Sequence, residues 1–187
     1  MGHDFLTAKL EFGFDHLDAD GDGQLTEQDH RAMGRSVAES LGHPSGSAEE
    51  QRIVDAYVRI WRDLHLPYIP GGGASLSREQ FLRSTRSLAD DQEAARGTLG
   101  ALAEAFLEVA DADADGRVSP EEFYAFQHGH FPTLSRERAD EAFAHLDRDG
   151  DGALSREEFI SAIIEFWTST DPKSPGTWWT GTQNFTP

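Results

Sequence analysis

The sequence predicts an all-α chain of four helix–loop–helix units, arranged in two pairs that form a compact globule with short β-bridges between paired loops. Three observations lead there. Residues 18–29, 111–122 and 147–158 share a twelve-residue pattern of alternating acidic residues, a glycine and an apolar eighth residue. Apolar residues at helical spacing precede each segment, and residues that cap helices close the last two. A fourth segment, residues 69–80, keeps the apolar and capping positions but lacks the carboxylates.

Residues 147–158 read Asp-Arg-Asp-Gly-Asp-Gly-Ala-Leu-Ser-Arg-Glu-Glu. Asp147, Asp149 and Asp151 stand at positions 1, 3 and 5, and Gly152 at 6 permits a sharp turn. Ala153 at 7 offers its backbone carbonyl, Ser155 at 9 can act through water, and Glu158 at 12 can close the shell with both oxygens. This is the ligand order of the EF-hand calcium loop, whose oxygen donors suit a hard cation. A solvated acidic turn would explain Asp and Gly, but not Leu154 at position 8 with a Glu four residues later. The first segment sets Asp18, Asp20, Asp22, Gln24 and Asp29 at the ligand positions, and the second sets Asp111, Asp113, Asp115, Arg117 and Glu122 there. Gln24 and Arg117, like Ala153, need supply only a carbonyl. Three calcium ions are expected. Asp29 is one methylene shorter than Glu, so the first site is expected to bind calcium more weakly or to accept the six-coordinate shell of magnesium. Inward movement of the backbone, leaving affinity unchanged, is the alternative.

The elements follow in order. Phe14 and Leu17, Leu107 and Ala110, and Phe143 and Leu146 sit three apart on helices entering the three loops, and should face the core. The run Leu41-Gly42-His43-Pro44-Ser45-Gly46-Ser47 stops the first exit helix. Ser47 with Glu50 opens the next helix, where Ile53, Val54, Tyr57, Ile60, Trp61 and Leu64 recur with helical period. Pro67 and Pro70 end it, and Gly71 to Gly73 predict a flexible loop. The short strand in each loop needs a partner strand, so three loops predict a fourth. Leu76, Ser77 and Gln80 fill positions 8, 9 and 12 of that unit, which leaves Ile69, Gly71 and Gly73 where carboxylates would stand. It is expected to be structural and empty. Asp90 and Glu93 start the long helix toward the third loop, where Gly97 and Gly100 each cost ~1 kcal/mol relative to Ala and predict a bend. Ser119 with Glu122 and Ser155 with Glu158 form capping boxes. Because the same Glu closes the metal shell, ion binding is expected to couple to the exit-helix angle. Residues 1–89 should thus hold the first pair and 90–168 the second, with 169–187 a tail packing on the core.

Composition narrows the function. A net charge of −18, from 34 acidic and 16 basic residues among 187, excludes nucleic acid and anionic membrane surfaces as partners and favours cations. Absence of Cys excludes disulfides, thiolate metal sites and a cysteine nucleophile. No run approaches the ~18 apolar residues that span a bilayer. Met1-Gly2-His3-Asp4-Phe5-Leu6 reads as no secretory signal, and Leu6 stands where a myristoylation signal needs Ser or Thr. A monomer in the cytoplasm is expected. No nucleophile elbow, phosphate-binding Gly-rich loop or glycosidase carboxylate pair is present, so no catalytic residue is assigned and no enzyme is expected. His128 and His130 read as a helix end interacting with the helix dipole, not as a zinc site. Asp55, Arg59, Arg62 and Asp63 read as a solvated helix face.

Intact sites one, three and four, a ligand-free second unit, and Phe166-Trp167-Thr168 running into Asp171-Pro172 make the chain resemble a known group. Over nearly its whole length it is similar to the sarcoplasmic calcium-binding proteins and their bacterial relatives of the calerythrin type. That resemblance implies four EF-hands, three of them loaded. Coelenterazine-binding photoproteins share the plan, and membership there would imply a His one turn before the Trp of the last helix and a Tyr in the tail. Ile163 stands four residues before Trp167, and no Tyr or His follows residue 168, so the oxygenating site is expected to be absent. A sensor that opens a Met-rich groove is disfavoured by a content of two Met. Twelve Phe and four Trp suit a permanent core. Trp167, Trp178, Trp179 and Phe185 read as a lid over the groove between the pairs. The expected function is a calcium buffer or store. A sensor exposing an apolar surface to a protein target is the first alternative, and a photoprotein-like ligand-binding oxygenase the second.

Overall fold

Each acidic loop is entered by one helix and left by another, as the capping and apolar signals require. The computed structural model describes residues 4–181 and Phe185. The Met1-Gly2 signal discussed above and tail positions 182–184, 186 and 187 lie outside the described residues. Helix α1 (Phe5–Leu17) starts at Asp4, whose carboxylate accepts from Thr7 N at 2.9 Å, and buries Leu6, Leu10 and Phe14. After the first loop come strand β1 (Gln24–Leu25) and helix α2 (Glu27–Ser40). Ser47 caps helix α3 (Ala48–Ile60), accepting from Glu50 N at 3.1 Å.

The incoming helix of the second unit departs from α geometry where its sequence demands. Pro67 has no N–H to donate to residue 63. The chain instead takes a π turn over Trp61–His65, closed by Leu66 N on Trp61 O, and then a 3₁₀ turn over Leu66–Tyr68. The Gly-rich stretch expected to be a flexible loop holds a tight turn in which Gly72 N donates to Ile69 O at 3.1 Å and Gly71 stands at φ 78°. Strand β2 (Leu76–Ser77) and helix α4 (Arg78–Ser87) complete the unit. The long helix starts one residue later than the sequence suggested. Asp90 ends a 3₁₀ turn, and Asp91 is the cap that accepts from Ala94 N at 3.0 Å. Helix α5 (Gln92–Ala110) then runs through Gly97 and Gly100 unbroken. The second half repeats the plan with β3 (Arg117–Val118), α6 (Pro120–His130), α7 (Arg136–Leu146), β4 (Leu154–Ser155) and α8 (Arg156–Thr168).

The loops pair as antiparallel β-bridges. Leu25 stands opposite Leu76 and Val118 opposite Leu154, so the apolar eighth residues of each pair meet in the core. The empty unit therefore keeps the part of the pattern that packs. The two pairs then close on each other along α2 and α6. A Cβ on Gly129 would stand 2.5 Å from Val37 Cα, and Ser36 and Ser40 donate to the carbonyls of Gly129 and Ala125 at 2.7 and 2.6 Å. On the other side, Gly13 of α1 leaves room for the ring of Trp167 on α8. Lys9 is fully buried there, and its Nζ donates to Ser169 O at 2.7 Å and Glu165 O at 3.3 Å, carbonyls at the end of α8. Burial pulls this ammonium down to about 8.

After α8 the chain folds back as a 3₁₀ turn, Pro175–Thr180. Trp178 stacks on His145 with ring centroids 4.1 Å apart, and Trp179 lies edge-on to Phe123 and Phe159. Gln127 Nε2 donates to Trp179 O at 2.7 Å. Phe185 sits against Phe5 and Phe12 of α1 and Phe166 of α8. The tail thus packs first within the second half and then reaches the first helix.

Candidate metal centres

Each acidic loop arranges its first carboxylate by donating backbone N–H groups to it. Asp18 accepts from Asp22 N and Gly23 N at 3.1 and 2.8 Å, Asp111 from Asp115 N and Gly116 N at 3.0 and 2.9 Å, and Asp147 from Asp151 N and Gly152 N at 3.2 and 3.0 Å. The sharp turns come from Gly23, Gly116 and Gly152, all at positive φ. At the fourth position two loops use Gly21 and Gly150, both at φ 71°, whereas the middle one holds Ala114 at φ 58°. A Cβ in the left-handed region costs about 1 kcal/mol, so this loop carries strain the others lack.

The loops bring their carboxylates together in two different sets. Oxygens of Asp111, Asp113 and Glu122 lie within 4.8 Å of one another, and so do those of Asp147, Asp149 and Glu158. In the first loop the set is Asp18, Asp20 and Asp22, without Asp29. The reason lies in what position 12 also does. Glu158 Oε2 accepts from Ser155 N at 2.9 Å and Oε1 from Arg148 N at 2.8 Å; Glu122 does the same with Ser119 N and Ala112 N at 2.8 and 2.9 Å. Asp29 makes the matching bonds to Thr26 N and Ala19 N at 2.8 and 3.1 Å, completing a capping box with an Asp in place of Glu. Two oxygens tied to the same backbone donors on a shorter arm stop short of the loop centre. Burial works to raise the pKa of Glu158, but the donors on its oxygens outweigh it and hold the carboxyl below the usual range.

Arg117 holds a position that its sequence slot did not reveal. Its side chain crosses the β-bridge to the neighbouring loop, pairing with Asp151 and donating to Ala153 O at 3.3 Å. Both are ligand positions of the fourth loop. The guanidinium therefore stands in for part of a cation's charge, holding Asp151 below its usual range, and metal entry must loosen it. Asp115 accepts from Arg117 N at 2.8 Å, and Gln24 and Ala153 are held in their turns by Asp22 and Asp151 at 2.8 and 3.1 Å. Clustered carboxylates on tight turns, with a position-7 carbonyl beside them, fit an oxygen-preferring divalent cation at all three loops.

Histidines are the functional candidates that sequence reasoning passed over. His130, expected at a helix end as a dipole partner, is buried: Nδ1 lies 3.0 Å from Phe126 O and Nε2 2.7 Å from the Tyr57 hydroxyl. Burial pushes its pKa down to about 4, so it is neutral and not a dipole-stabilised cation. His128 does lie at the helix end, near Leu134 O. His16, His30, His65 and His130 together line a partly open cavity with Tyr57. The signal was available for His30, which shares a helix face with Met33 and Val37 at spacings of three and seven. Ile163 is fully buried at the position where a photoprotein would need His.

The EF hand domain family matches residues 138–166, and a second family described as EF hand matches residues 103–127. Calerythrin from Saccharopolyspora erythraea is 32% identical over 160 residues, which cover 84% of this chain and 89% of calerythrin. Among solved structures, the coelenterazine-binding protein of Renilla muelleri, in its calcium-loaded apo form, is similar with a TM-score of 0.76 at 20% identity, covering 93% of each chain. A Streptomyces coelicolor calcium-binding protein, whose structure is described as the basis for prokaryotic calcium-mediated regulation, is similar with a TM-score of 0.66 at 25% identity. That match covers 86% of this chain and 96% of the other.

Proposed function

Since the chain belongs to the calerythrin family of EF-hand calcium-binding proteins, we propose that it acts as a calcium buffer with three working sites. The ligands are Asp18, Asp20, Asp22, Gln24 and Asp29 at the first site; Asp111, Asp113, Asp115, Arg117 and Glu122 at the second; and Asp147, Asp149, Asp151, Ala153 and Glu158 at the third. Gln24, Arg117 and Ala153 act through their carbonyls. The observation that carries this is the recurrence, in three loops, of carboxylates already gathered on one centre. Three divalent ions would cancel six of the net negative charges and relieve repulsion among those carboxylates. Occupancy at ~100 times the dissociation constant would stabilise the fold by about 2.7 kcal/mol per site.

Buffering is favoured over sensing by where the apolar surface lies. Trp167, Trp178, Trp179 and Phe185 are all buried, and among the described residues the exposed large apolar side chains are Leu66 and Tyr68. The tail occupies ground that a target helix would need. The working protein is read as a cytoplasmic monomer without catalytic activity, its two EF-hand pairs dividing near residue 90. No helix among the described residues is long and apolar enough to cross a membrane. The first site, with its shorter Asp29, is the one that accepts magnesium. A sensor role is the second reading, favoured by likeness to the Streptomyces coelicolor protein. Calorimetric titration with calcium, with and without millimolar magnesium, tests the proposal. Three binding events are expected, one of them weakened by magnesium, with little new binding of a hydrophobic dye. A strong calcium-induced rise in dye binding would transfer the case to the sensor.

A further inference from the structure

A partly open cavity of about 330 Å³ reaches into the protein, walled by residues of α1 to α6, α8 and the tail turn, with the exposed Tyr68 on its lining. Its size falls in the range of pockets that hold small molecules. Most of the wall is aromatic or aliphatic, including Met33, Phe106, Phe126, Trp167 and Trp179, and none of the lining residues is Lys, Arg, Asp or Glu. The polar exceptions follow a pattern. His130 Nδ1 faces Phe126 O at 3.0 Å and so carries the proton, which leaves Nε2 to accept from the Tyr57 hydroxyl at 2.7 Å. That pair is satisfied. In the same way His30 Nδ1 donates to Thr26 O at 2.9 Å, so its Nε2 is a bare acceptor. His30 is 3% exposed and lines the cavity, yet its Nε2 has no partner, and neither does the buried Thr180 hydroxyl on the tail side. Buried polar atoms in native proteins are nearly always paired, and each exception asks for a missing partner. A lone water is a poor answer against a wall this apolar, because it needs two to four polar neighbours.

We infer that the cavity is a binding site for an uncharged, largely aromatic small molecule that donates a hydroxyl or N–H hydrogen bond to His30 Nε2. Aromatic walls supply area and ring contacts, while the absence of charged lining residues excludes anions and offers a cation no counter-ion. The Thr180 hydroxyl can rotate to donate or accept at a second polar group. None of the metal ligands lines the cavity, although His30 follows Asp29 in the chain, so ligand binding here can fail while calcium buffering holds.

The test uses the full chain and the neutral fluorophore N-phenyl-1-naphthylamine, which carries one N–H donor, with the donor-free 1-phenylnaphthalene as competitor. One fluorophore per chain is expected to bind, about tenfold more tightly than the competitor. Met33→Trp fills the cavity and should weaken both by at least tenfold. Leu102→Trp fills it from α5 and serves where Met33→Trp unfolds by circular dichroism. His30→Leu should erase the tenfold preference for the N–H compound while leaving the competitor's affinity and the protein's melting temperature unreduced. Absence of binding, several fluorophores per chain, unchanged affinity in both filling variants, or a preference that survives His30→Leu would each overturn the assignment. A calcium titration unaltered by these variants would show that the metal centres are unaffected.

Discussion

Replacing a helical glycine by alanine should have opposite consequences at two places in this chain. Gly97 is an exposed residue inside α5, and a Cβ there meets nothing within 4 Å. Alanine should gain the helix-propensity difference of about 1 kcal/mol, and a chain of this length converts each kcal/mol into roughly 2–4 °C of melting temperature. Gly129 on α6 is buried, and its added Cβ would stand 2.5 Å from Val37 Cα, 2.9 Å from Val37 Cγ2 and 3.1 Å from Val37 N. Two of those atoms are backbone, so α2 must move as a whole by about 1 Å to restore ordinary contact. Overpacking of this kind costs about 1–3 kcal/mol and the same propensity gain offsets about 1, leaving a net loss of up to ~2 kcal/mol. The shift would also pull Ser36 and Ser40 away from the carbonyls that receive their hydroxyls. Thermal unfolding followed by circular dichroism at fixed saturating calcium checks both. Gly97→Ala should melt about 2–4 °C higher and Gly129→Ala up to ~8 °C lower. Shifts of equal sign and size would refute the close apposition of α2 and α6 that joins the two halves.

The metal centres and two imidazoles give two more predictions. Asp29→Glu restores the arm length of the other loops; calcium affinity at the first site should rise about tenfold, equivalent to 1.4 kcal/mol, read by calorimetry as a weak event moving toward the stronger two. An unchanged weakest event would mean that the backbone, not the side chain, sets that affinity. His65 and His130 have their folded pKa pushed down by burial, to about 3 and about 4, with His30 also acting on His65. Such groups stay neutral in the fold while the unfolded chain takes protons below about pH 6.5, so stability is full above that pH and falls toward the folded values. Each contributes a slope of up to about 1.4 kcal/mol per pH unit. Denaturant unfolding between pH 7 and 5.5 at saturating calcium should show this decline, and His130→Gln should flatten it; a slope unaltered by that variant would refute neutral burial of His130.

Much of the fold was legible because the repeat encodes it locally. Loop position fixes where carboxylates, turn glycines and the apolar eighth residue fall, and capping pairs mark the exits. Even the degenerate unit could be aligned from Leu76, Ser77 and Gln80, since bridge and cap survive without ligands. Offsets arose where two residues offered the same local chemistry. Asp90 and Asp91 can each cap a helix, and only the 3₁₀ turn that takes up Asp90 decides which does. The π turn at Trp61 was hidden because Trp61 and Leu64 fit an α period equally well.

By itself the sequence determined the four-unit plan, which three loops carry carboxylates, and which unit lacks them, for these follow from residues close in the chain. Tertiary structure alone decided the rest. Arg117 reaches Asp151 only because antiparallel bridging sets the two loops side by side, and Lys9 meets the end of α8 only because Gly13 lets α1 approach Trp167. The cavity, with His30 and Thr180 left unpaired, exists because helices from both halves and the tail turn wall one space. No local pattern records such a space, since packing between distant segments sets both its volume and which polar atoms go without partners.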